Sequence, residues 1–223
     1  MHKIVLASRN KNKITELREL LSEISDKLEL LSLDDIGYEG DIEEDGASYE
    51  ENSVIKSSVP ASLGYIGIAD DSGLSVDCLD GAPGIYSARY AGEHVTYSDN
   101  NEKLLKALEN ETDRSAAFVS VMSIAVPDGS EITIPDRLVD ETLSEYASER
   151  CARPVKVACR RGVCKGVILR SLRGKEGFGY DPLFYYEPAG KTFAEMTHEE
   201  KNAVSHRGAA VRAFAELLKE IFA

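Results

Sequence analysis

The sequence contains no tryptophan, few cysteines and no long apolar run. Its longest apolar-rich stretch, 116–126, is interrupted by two serines, whereas a membrane-spanning helix needs roughly 20 apolar residues. The first seven residues are also too short in their apolar part for a signal peptide. The cysteines are Cys78, Cys151, Cys159 and Cys164. Without a C-x-x-C pair or a histidine at finger spacing they indicate free thiols, and we expect a soluble, cytoplasmic protein with no membrane partner.

Basic residues are scarce relative to acidic ones. The chain of 223 residues carries 26 Lys and Arg against 39 Asp and Glu, a net charge of −13. A nucleic-acid coat protein would need a basic footprint, so we expect no nucleic-acid partner. A small anionic ligand is still possible if a metal ion or local basic cluster offsets the repulsion. One such cluster is 150–175, with nine basic and no acidic residues, which is either an anion-facing patch or a solvated face.

Strand-like and helix-like segments alternate along the chain, which predicts an α/β fold with a mixed sheet. A strand over Lys3–Ala7 precedes a helix from Asn10 or Asn12 to Ile24. Ser48 and Glu51 form a capping box that predicts a helix starting at Tyr49. Pro60 should kink or end that helix.

Further along the chain, an apolar strand is expected over Tyr65–Ala69, followed directly by Asp70. Residues 137–148 have helical character, and 163–171 return to strand character. The last helix is expected to start after Ser205, with an apolar stripe at helical spacing.

The segment Ser8–Lys13 joins the first strand to the first helix. Lys3, Arg9, Lys11 and Lys13 have no acidic neighbour within the first thirteen residues. A helix N-terminus offers unpaired N–H groups to an anion, so the segment could cradle a phosphate. A solvated, capped helix start fits equally well, because no P-loop signature is present.

Two acidic groups could supply oxygen ligands. Glu43, Glu44 and Asp45 lie in a loop, and Asp70 and Asp71 follow the apolar strand. Mg²⁺ is usually held by one or two carboxylates together with substrate phosphates. Adjacent aspartates after an apolar strand are costly without a compensating cation. The other interpretation is that Asp70–Gly73 is only a turn.

Aromatic and basic residues near the C-terminus suggest recognition of a flat ligand. In Gly177–Pro182 the glycines allow close approach of the backbone, and Phe178 or Tyr180 could stack on a base. A tight turn with core aromatics is the alternative. Ser205-His206-Arg207 could donate hydrogen bonds to a carbonyl or phosphate, or could be a surface cap, and Lys191 is equally ambiguous alone.

Taken together, these segments resemble the inosine triphosphatase family, also called dITP/XTP pyrophosphatase or HAM1-like. The resemblance covers Lys3 to about Ile132 and Val163 to the C-terminus. The motifs that match, in order, are Leu6–Lys13, Glu50–Asn52 with Lys56, Ile68–Leu74, Gly81–Tyr90, Gly177–Pro182 and Ser205–Gly208. Several independent motifs in the right order make the match specific.

The resemblance implies one domain over 1–223, with a long bent mixed sheet and two α/β lobes around a nucleotide cleft. It implies Mg²⁺-dependent hydrolysis of noncanonical purine nucleoside triphosphates (ITP, dITP, XTP) to the monophosphate and pyrophosphate, by a homodimer. Carried over by motif, Glu44 and Asp71 ligate the metal, and Asp71 is also the proton acceptor, with Asp70 and Lys56 as possible helpers. The substrate-binding positions are Ser8, Asn10, Lys13, Ser72, Phe178, Gly179, Tyr180, Asp181, Lys191, His206 and Arg207.

The sequence also departs from the family pattern. Arg9 stands where glycine is usual, and could crowd the phosphate loop or add a contact. Residues 133–161 look like an insertion in the second lobe that packs over the cleft mouth or alters the dimer contact. Two other functions stay open at this point: a nucleotide-binding module without turnover, and a Maf-type pyrophosphatase acting on modified pyrimidine or 7-methylguanine nucleotides.

Overall fold

Seven strands form one mixed sheet in the computed structural model, which describes residues 2–9, 14, 17–18, 21–22, 24, 28–151 and 153–222. The strands are β1 His2–Leu6, β2 Leu28–Ser32, β3 Ile66–Val76, β4 Ser115–Pro127, β5 Val155–Ile168, β6 Phe184–Tyr186 and β7 Lys191–Thr192. Their order in the sheet is β2-β1-β3-β4-β5-β6-β7. β1 pairs in parallel with β2 and β3, whereas β6 is antiparallel to β5 and β7. The predicted α/β class with a mixed sheet is confirmed.

Five helices have bounds within the described residues. They are α1 Tyr49–Ser62, α2 Tyr97–Ala107, α3 Glu141–Arg150, α4 His198–Val204 and α5 His206–Phe222. None of them is both long and apolar enough to cross a bilayer. Of the predicted first helix, residues 14, 17–18, 21–22 and 24 are helical. Asn10 to Lys13 lie outside the described residues.

The chain divides into two compact units. Unit 1 contains Met1–Asp71, Val121–Arg161 and Ala210–Ala223, and unit 2 contains Ser72–Ser120 and Gly162–Ala209. Residues 133–161, which the sequence placed in a second lobe, therefore belong to unit 1 together with the N-terminal strand. The reason is that β4 begins in unit 2 and ends in unit 1, so the segment that follows it continues in unit 1.

Each unit has its own apolar core. In unit 1, β1 and β3 pack against the apolar stripe of α5 through Ile4, Ile68 and Phe214, all fully buried. A second cluster of the same unit joins α1, α3 and β5. In unit 2, Phe118, Phe184 and Phe193 form the aromatic centre of the core.

Four sequence expectations about element bounds need correction. β3 does not end at Ala69 but continues to Val76, so Asp70 and Asp71 lie within a strand. α1 begins at Tyr49 as predicted, but passes through Pro60 and ends at Ser62. The helix expected at 137–148 runs from Glu141 to Arg150, and the strand expected from 163 begins at Val155.

Candidate active site

Helix α1 places Lys56 against β3. Ser48 accepts a hydrogen bond from the Glu51 N–H and so fixes where the helix starts. Farther along, Ser53 donates to Ala69 O and to Ser123 Oγ, and Ser123 donates to Ser57 Oγ. These three serines are fully buried. Because the hydroxyls pair only in one rotation of the helix, they hold Lys56 on the side that faces Asp71.

Lys56 bridges two carboxylates from different elements. Its Nζ lies 2.8 Å from Glu44 Oε2 and 2.8 Å from Asp71 Oδ1. The Lys56 and Asp71 side chains are each only 12% exposed. The other oxygen of Asp71, Oδ2, is buried and has no hydrogen-bond partner among the residues that the structure describes. We name Glu44, Lys56 and Asp71 the carboxylate–lysine group; all three belong to unit 1.

Electrostatics in this group favour a basic carboxylate. Burial and the neighbouring Glu44 raise the pKa of Asp71 to about 6, although Lys56 opposes the rise. Burial alone would lower the pKa of Lys56, but the Asp71 and Glu44 carboxylates outweigh it and hold that pKa above its ordinary value. At neutral pH Asp71 is thus ionised and a stronger base than an ordinary aspartate.

The donor set of this group fits Mg²⁺. Glu44 and Asp71 supply hard carboxylate oxygens that both contact the single ammonium of Lys56. Asp71 Oδ2 accepts no hydrogen bond from the described part of the chain. Within the part of the chain that the structure describes, no third histidine, cysteine or carboxylate completes a protein ligand set. Mg²⁺ sites of this kind are completed by water and phosphate oxygens.

Unit 2 gathers a second set of predicted residues around Phe178. Phe178 is 54% exposed. The ring centroid of Tyr97 lies 6.2 Å away, Lys201 Nζ lies 4.9 Å from the Phe178 centroid, and the Arg207 guanidinium carbon lies 6.0 Å from it. An exposed ring flanked by cations is a platform on which a flat, electron-rich ring can stack. We name Phe178, Lys201, His206 and Arg207 the aromatic–basic group.

The turn that presents Phe178 is held by Asp181. Asp181 is 2% exposed, and its Oδ2 accepts hydrogen bonds from the Phe178 N–H at 2.8 Å and from Lys201 Nζ at 2.5 Å. Gly177 has a φ of +77°, and a Cβ there would lie 2.1 Å from Asp181 Oδ2, so the turn requires glycine. Within unit 2, Gly179 O accepts from Asn101 and the Tyr180 hydroxyl donates to Ser87 O.

His206 begins α5, and its ring stacks on Phe118 with centroids 4.7 Å apart. Lys191 donates to Glu200 Oε1 at 2.7 Å on the surface of unit 2, and its predicted contact with substrate stays a prediction.

In unit 1, Ser8 N donates to Leu6 O at the end of β1. Asn10 and Lys13 lie outside the described residues.

Sequence reasoning missed Lys201 and Tyr97, both beside Phe178. Little in the sequence indicated that Lys201 lies beside Phe178, because it is a single lysine that follows two glutamates in α4. Tyr97 is 58% exposed, and its only signal was an aromatic residue at the first position of a capped helix. Proximity to Phe178 depends on contacts between distant parts of the chain, which local patterns do not contain.

Most basic residues of 150–175 contact an acidic side chain or a backbone carbonyl that lies beside them in the fold. Arg161 pairs with Glu50, Lys156 with Asp136, and Arg173 with Glu195. Arg170 donates to the backbone carbonyls of residues 109 and 111. The pairing favours the interpretation of this stretch as a solvated, locally neutralised face.

Comparison with known proteins gives consistent matches over nearly the whole chain. A sequence profile of the Ham1 family matches residues 4–217. A curated dITP/XTP pyrophosphatase of Clostridium perfringens is 45% identical, over 99% of this chain and 99% of its own. One of Syntrophobacter fumaroxidans is 44% identical, over 99% and 85%.

Solved structures agree with these sequence matches. The Ham1 protein of Staphylococcus aureus superposes with a TM-score of 0.81 at 36% identity, covering 98% of each chain. A HAM1 protein of Coxiella burnetii gives a TM-score of 0.81 at 37% identity, covering 99% of this chain and 100% of its own.

Proposed function

Since this chain belongs to the Ham1 family, we propose that it hydrolyses noncanonical purine nucleoside triphosphates to the monophosphate and pyrophosphate. The names of its curated relatives indicate a nucleoside triphosphate pyrophosphatase, a hydrolase of nucleotide metabolism. ITP, dITP and XTP as substrates, Mg²⁺ as cofactor and a homodimeric assembly belong to the proposal. The activity would remove these nucleotides from the cellular pool.

The observation that carries the proposal is the carboxylate–lysine group. Attack of water at a phosphorus atom requires a base to accept the proton and positive charge to offset the phosphates. Asp71, with its raised pKa, accepts the proton from water. Lys56 holds Asp71 Oδ1 in place and keeps an ammonium beside the two carboxylates. A Mg²⁺ ion held by Glu44 and Asp71 would neutralise charge on the triphosphate.

Binding of the phosphates is assigned to the segment after β1. We propose that Ser8, Asn10 and Lys13 hold the phosphates. The support for this is that the segment is locally basic in a chain of net charge −13. Ser72, the residue after Asp71 in β3, is proposed as a further substrate contact.

Recognition of the base is assigned to unit 2. We propose that Phe178 stacks on the base and that His206 and Arg207 donate hydrogen bonds to its 6-oxo edge, with Gly179, Tyr180, Asp181 and Lys191 as additional contacts. Adenine carries a 6-amino donor at the same position. Donors facing donors leave polar groups unpaired, and such mismatches cost several kcal/mol, on the order of 2–3 per lost charged hydrogen bond.

A substrate panel with Mg²⁺ tests the proposal. ITP, dITP, XTP, GTP, ATP, CTP and UTP would be compared, with pyrophosphate and orthophosphate measured separately. We expect pyrophosphate from ITP, dITP and XTP, little from ATP, and loss of activity in D71N. D128N serves as the control, because Asp128 is an exposed carboxylate in the turn after β4, outside the proposed site. Light scattering of the protein as it elutes from a size-exclusion column would test the homodimer.

Two other outcomes would contradict the proposal. Nucleotide binding without turnover of any substrate would indicate the binding module. When modified pyrimidine and 7-methylguanine nucleoside triphosphates are added to the panel, pyrophosphate from these substrates alone would indicate Maf-type specificity. The identity of the curated relatives favours neither alternative.

A further inference from the structure

Arg9 connects the residues after β1 to the loop that carries Glu44. We call residues 37–46 the acidic loop. Arg9 Nη2 donates to Tyr38 O at 2.9 Å and to Gly40 O at 3.1 Å, and Nε lies 3.3 Å from Asp34 Oδ1. A planar guanidinium that meets three acceptors is held in one orientation, and it holds those acceptors in turn.

The acidic loop has little packing of its own. A pocket of about 270 Å³ is lined by loop residues, among them Asp41 and Glu43, and by Val59 and Ser62 of α1. Tyr38 and Ile42 are the apolar members of the loop; both are partly buried and pack against a cluster that contains Ala7 and Ala69. Because the rest of the loop is glycine and carboxylates, its course depends on its polar tethers.

The far end of the loop has a tether of its own. Asn52 of α1 is 1% exposed and accepts a hydrogen bond from the Gly46 N–H at 2.9 Å. Glu51 Oε2 accepts from the Ala47 N–H at 2.6 Å. Glu44 thus lies between a tether at Gly40, formed by Arg9, and a tether at Gly46, formed by Asn52.

We propose that Arg9 is a positioning residue that fixes the acidic loop and so places the Glu44 carboxylate opposite Asp71. The inference rests on the proposed function, in which Glu44 and Asp71 hold Mg²⁺. The inference extends the proposed function, because it gives a role to a residue outside the metal and substrate contacts. Three of the five guanidinium N–H groups, those on Nη2 and Nε, donate to the loop carbonyls and to Asp34, so this edge of the side chain is committed to the loop and not to a ligand.

The test compares R9M, R9K and a control, R137M. Arg137 also makes an exposed ion pair in unit 1, with Glu220 at 2.5 Å, but far along the chain from the acidic loop. In R9M we expect amide hydrogen exchange across 38–47 to become faster by about tenfold, because charged hydrogen bonds are lost. The Mg²⁺ concentration for half-maximal rate should rise by about tenfold, with kcat at saturating Mg²⁺ within about twofold of the wild type.

The conservative variant R9K distinguishes a tether to the acidic loop from a general contribution to stability. R9K keeps a cation that can donate to the same carbonyls, so its exchange and its Mg²⁺ requirement should lie between those of the wild type and R9M. R137M should match the wild type in both measurements. Calorimetric titration with Mn²⁺ reports metal affinity without turnover, and R9M should bind it about tenfold more weakly.

Three results would overturn the inference. Wild-type exchange rates across 38–47 in R9M would show that Arg9 does not hold the loop. A raised KM for nucleotide with an unchanged Mg²⁺ requirement would make Arg9 a substrate ligand instead. Equal effects in R9M and R137M would reduce its role to general stability. Absence of pyrophosphate release by the wild type would refute the proposed function, while exchange and calorimetry would still decide the role of Arg9.

Discussion

The carbonyl oxygen of Ser57 in α1 lies where a Cβ on Gly67 of β3 would stand, only 1.9 Å from it. Helix and strand are therefore in contact through their backbones at this point. Gly67 lies four residues before Asp71, and Ser57 follows Lys56. This contact sets the distance between α1 and β3, and with it the distance between Lys56 and Asp71.

Replacing Gly67 by alanine should push α1 away from β3. We expect G67A to lower the free energy of unfolding by about 1–3 kcal/mol, the cost of overpacking a tight interface, and to reduce activity as well. Urea denaturation measures the first effect. G129A is the control: a Cβ there would meet nothing within 4 Å, and the φ of +81° strains the turn after β4 without moving α1, so activity should be retained. Equal losses of activity in both variants would contradict the prediction.

Removing the ammonium of Lys56 should leave two carboxylates facing each other. We expect K56M to lower kcat/KM by at least about a hundredfold, because Asp71 loses its partner and like charge raises its pKa further. Added Mg²⁺ should raise the melting temperature of K56M more than that of the wild type. K156M removes an exposed lysine that pairs with Asp136 at 2.8 Å and should change neither quantity. Wild-type activity in K56M would refute the assignment.

Truncating Phe178 should weaken substrate binding without weakening the fold. Stacking of a base on an aromatic ring is worth about 1–3 kcal/mol, so F178A should raise KM for ITP by about tenfold or more. The control is L172A, because Leu172 and Phe178 are both 54% exposed. Both variants should keep the wild-type melting temperature. An unchanged KM in F178A would exclude a stacking role.

The thiols of Cys159 and Cys164 should resist alkylation in the folded protein. Burial raises the pKa of Cys164 to about 11 and raises that of Cys159 still further. Since the thiolate is the reactive form, labelling by iodoacetamide at pH 8 should be slower in the native protein than in urea by about a hundredfold. Labelling should accelerate as the pH rises towards 10. Mass spectrometry of labelled peptides would measure it, and equal native and denatured rates would contradict the burial of these thiols.

Local rules predicted the start of α1 but not the course of β3. Ser48 and Glu51 are three residues apart, and their pairing depends only on the helix they start. Asp70 and Asp71 looked like a strand end because carboxylates are costly inside a sheet. The compensation for Asp71 comes from Lys56, fifteen residues earlier and on another element. A contact of that kind has no local signature.

The lack of a local signature also explains why the start of β5 and the continuation of α1 through Pro60 were not predicted. Basic residues such as Lys156 and Arg161 made the first half of β5 look like a solvated segment rather than a strand. In the fold, each of them pairs with an acidic residue from another segment. Pro60 lies in the last turn of α1, where a missing N–H costs one hydrogen bond and the helix ends two residues later. The candidate site was predictable as a set of motifs, whereas the pairing of Glu44 and Asp71 through Lys56 required the fold.

The ion pairs along 150–175 also bear on how substrate arrives. Because Arg161, Lys156 and Arg173 each pair with a carboxylate that lies beside them in the fold, little of their charge extends into solvent to offset a net charge of −13. A free nucleoside triphosphate approaching from a distance thus meets repulsion rather than attraction. Salt screens such repulsion over roughly 8–10 Å at physiological strength. Capture of nucleotide should therefore speed up as ionic strength rises, the reverse of the behaviour of enzymes that draw in anions with a positive field.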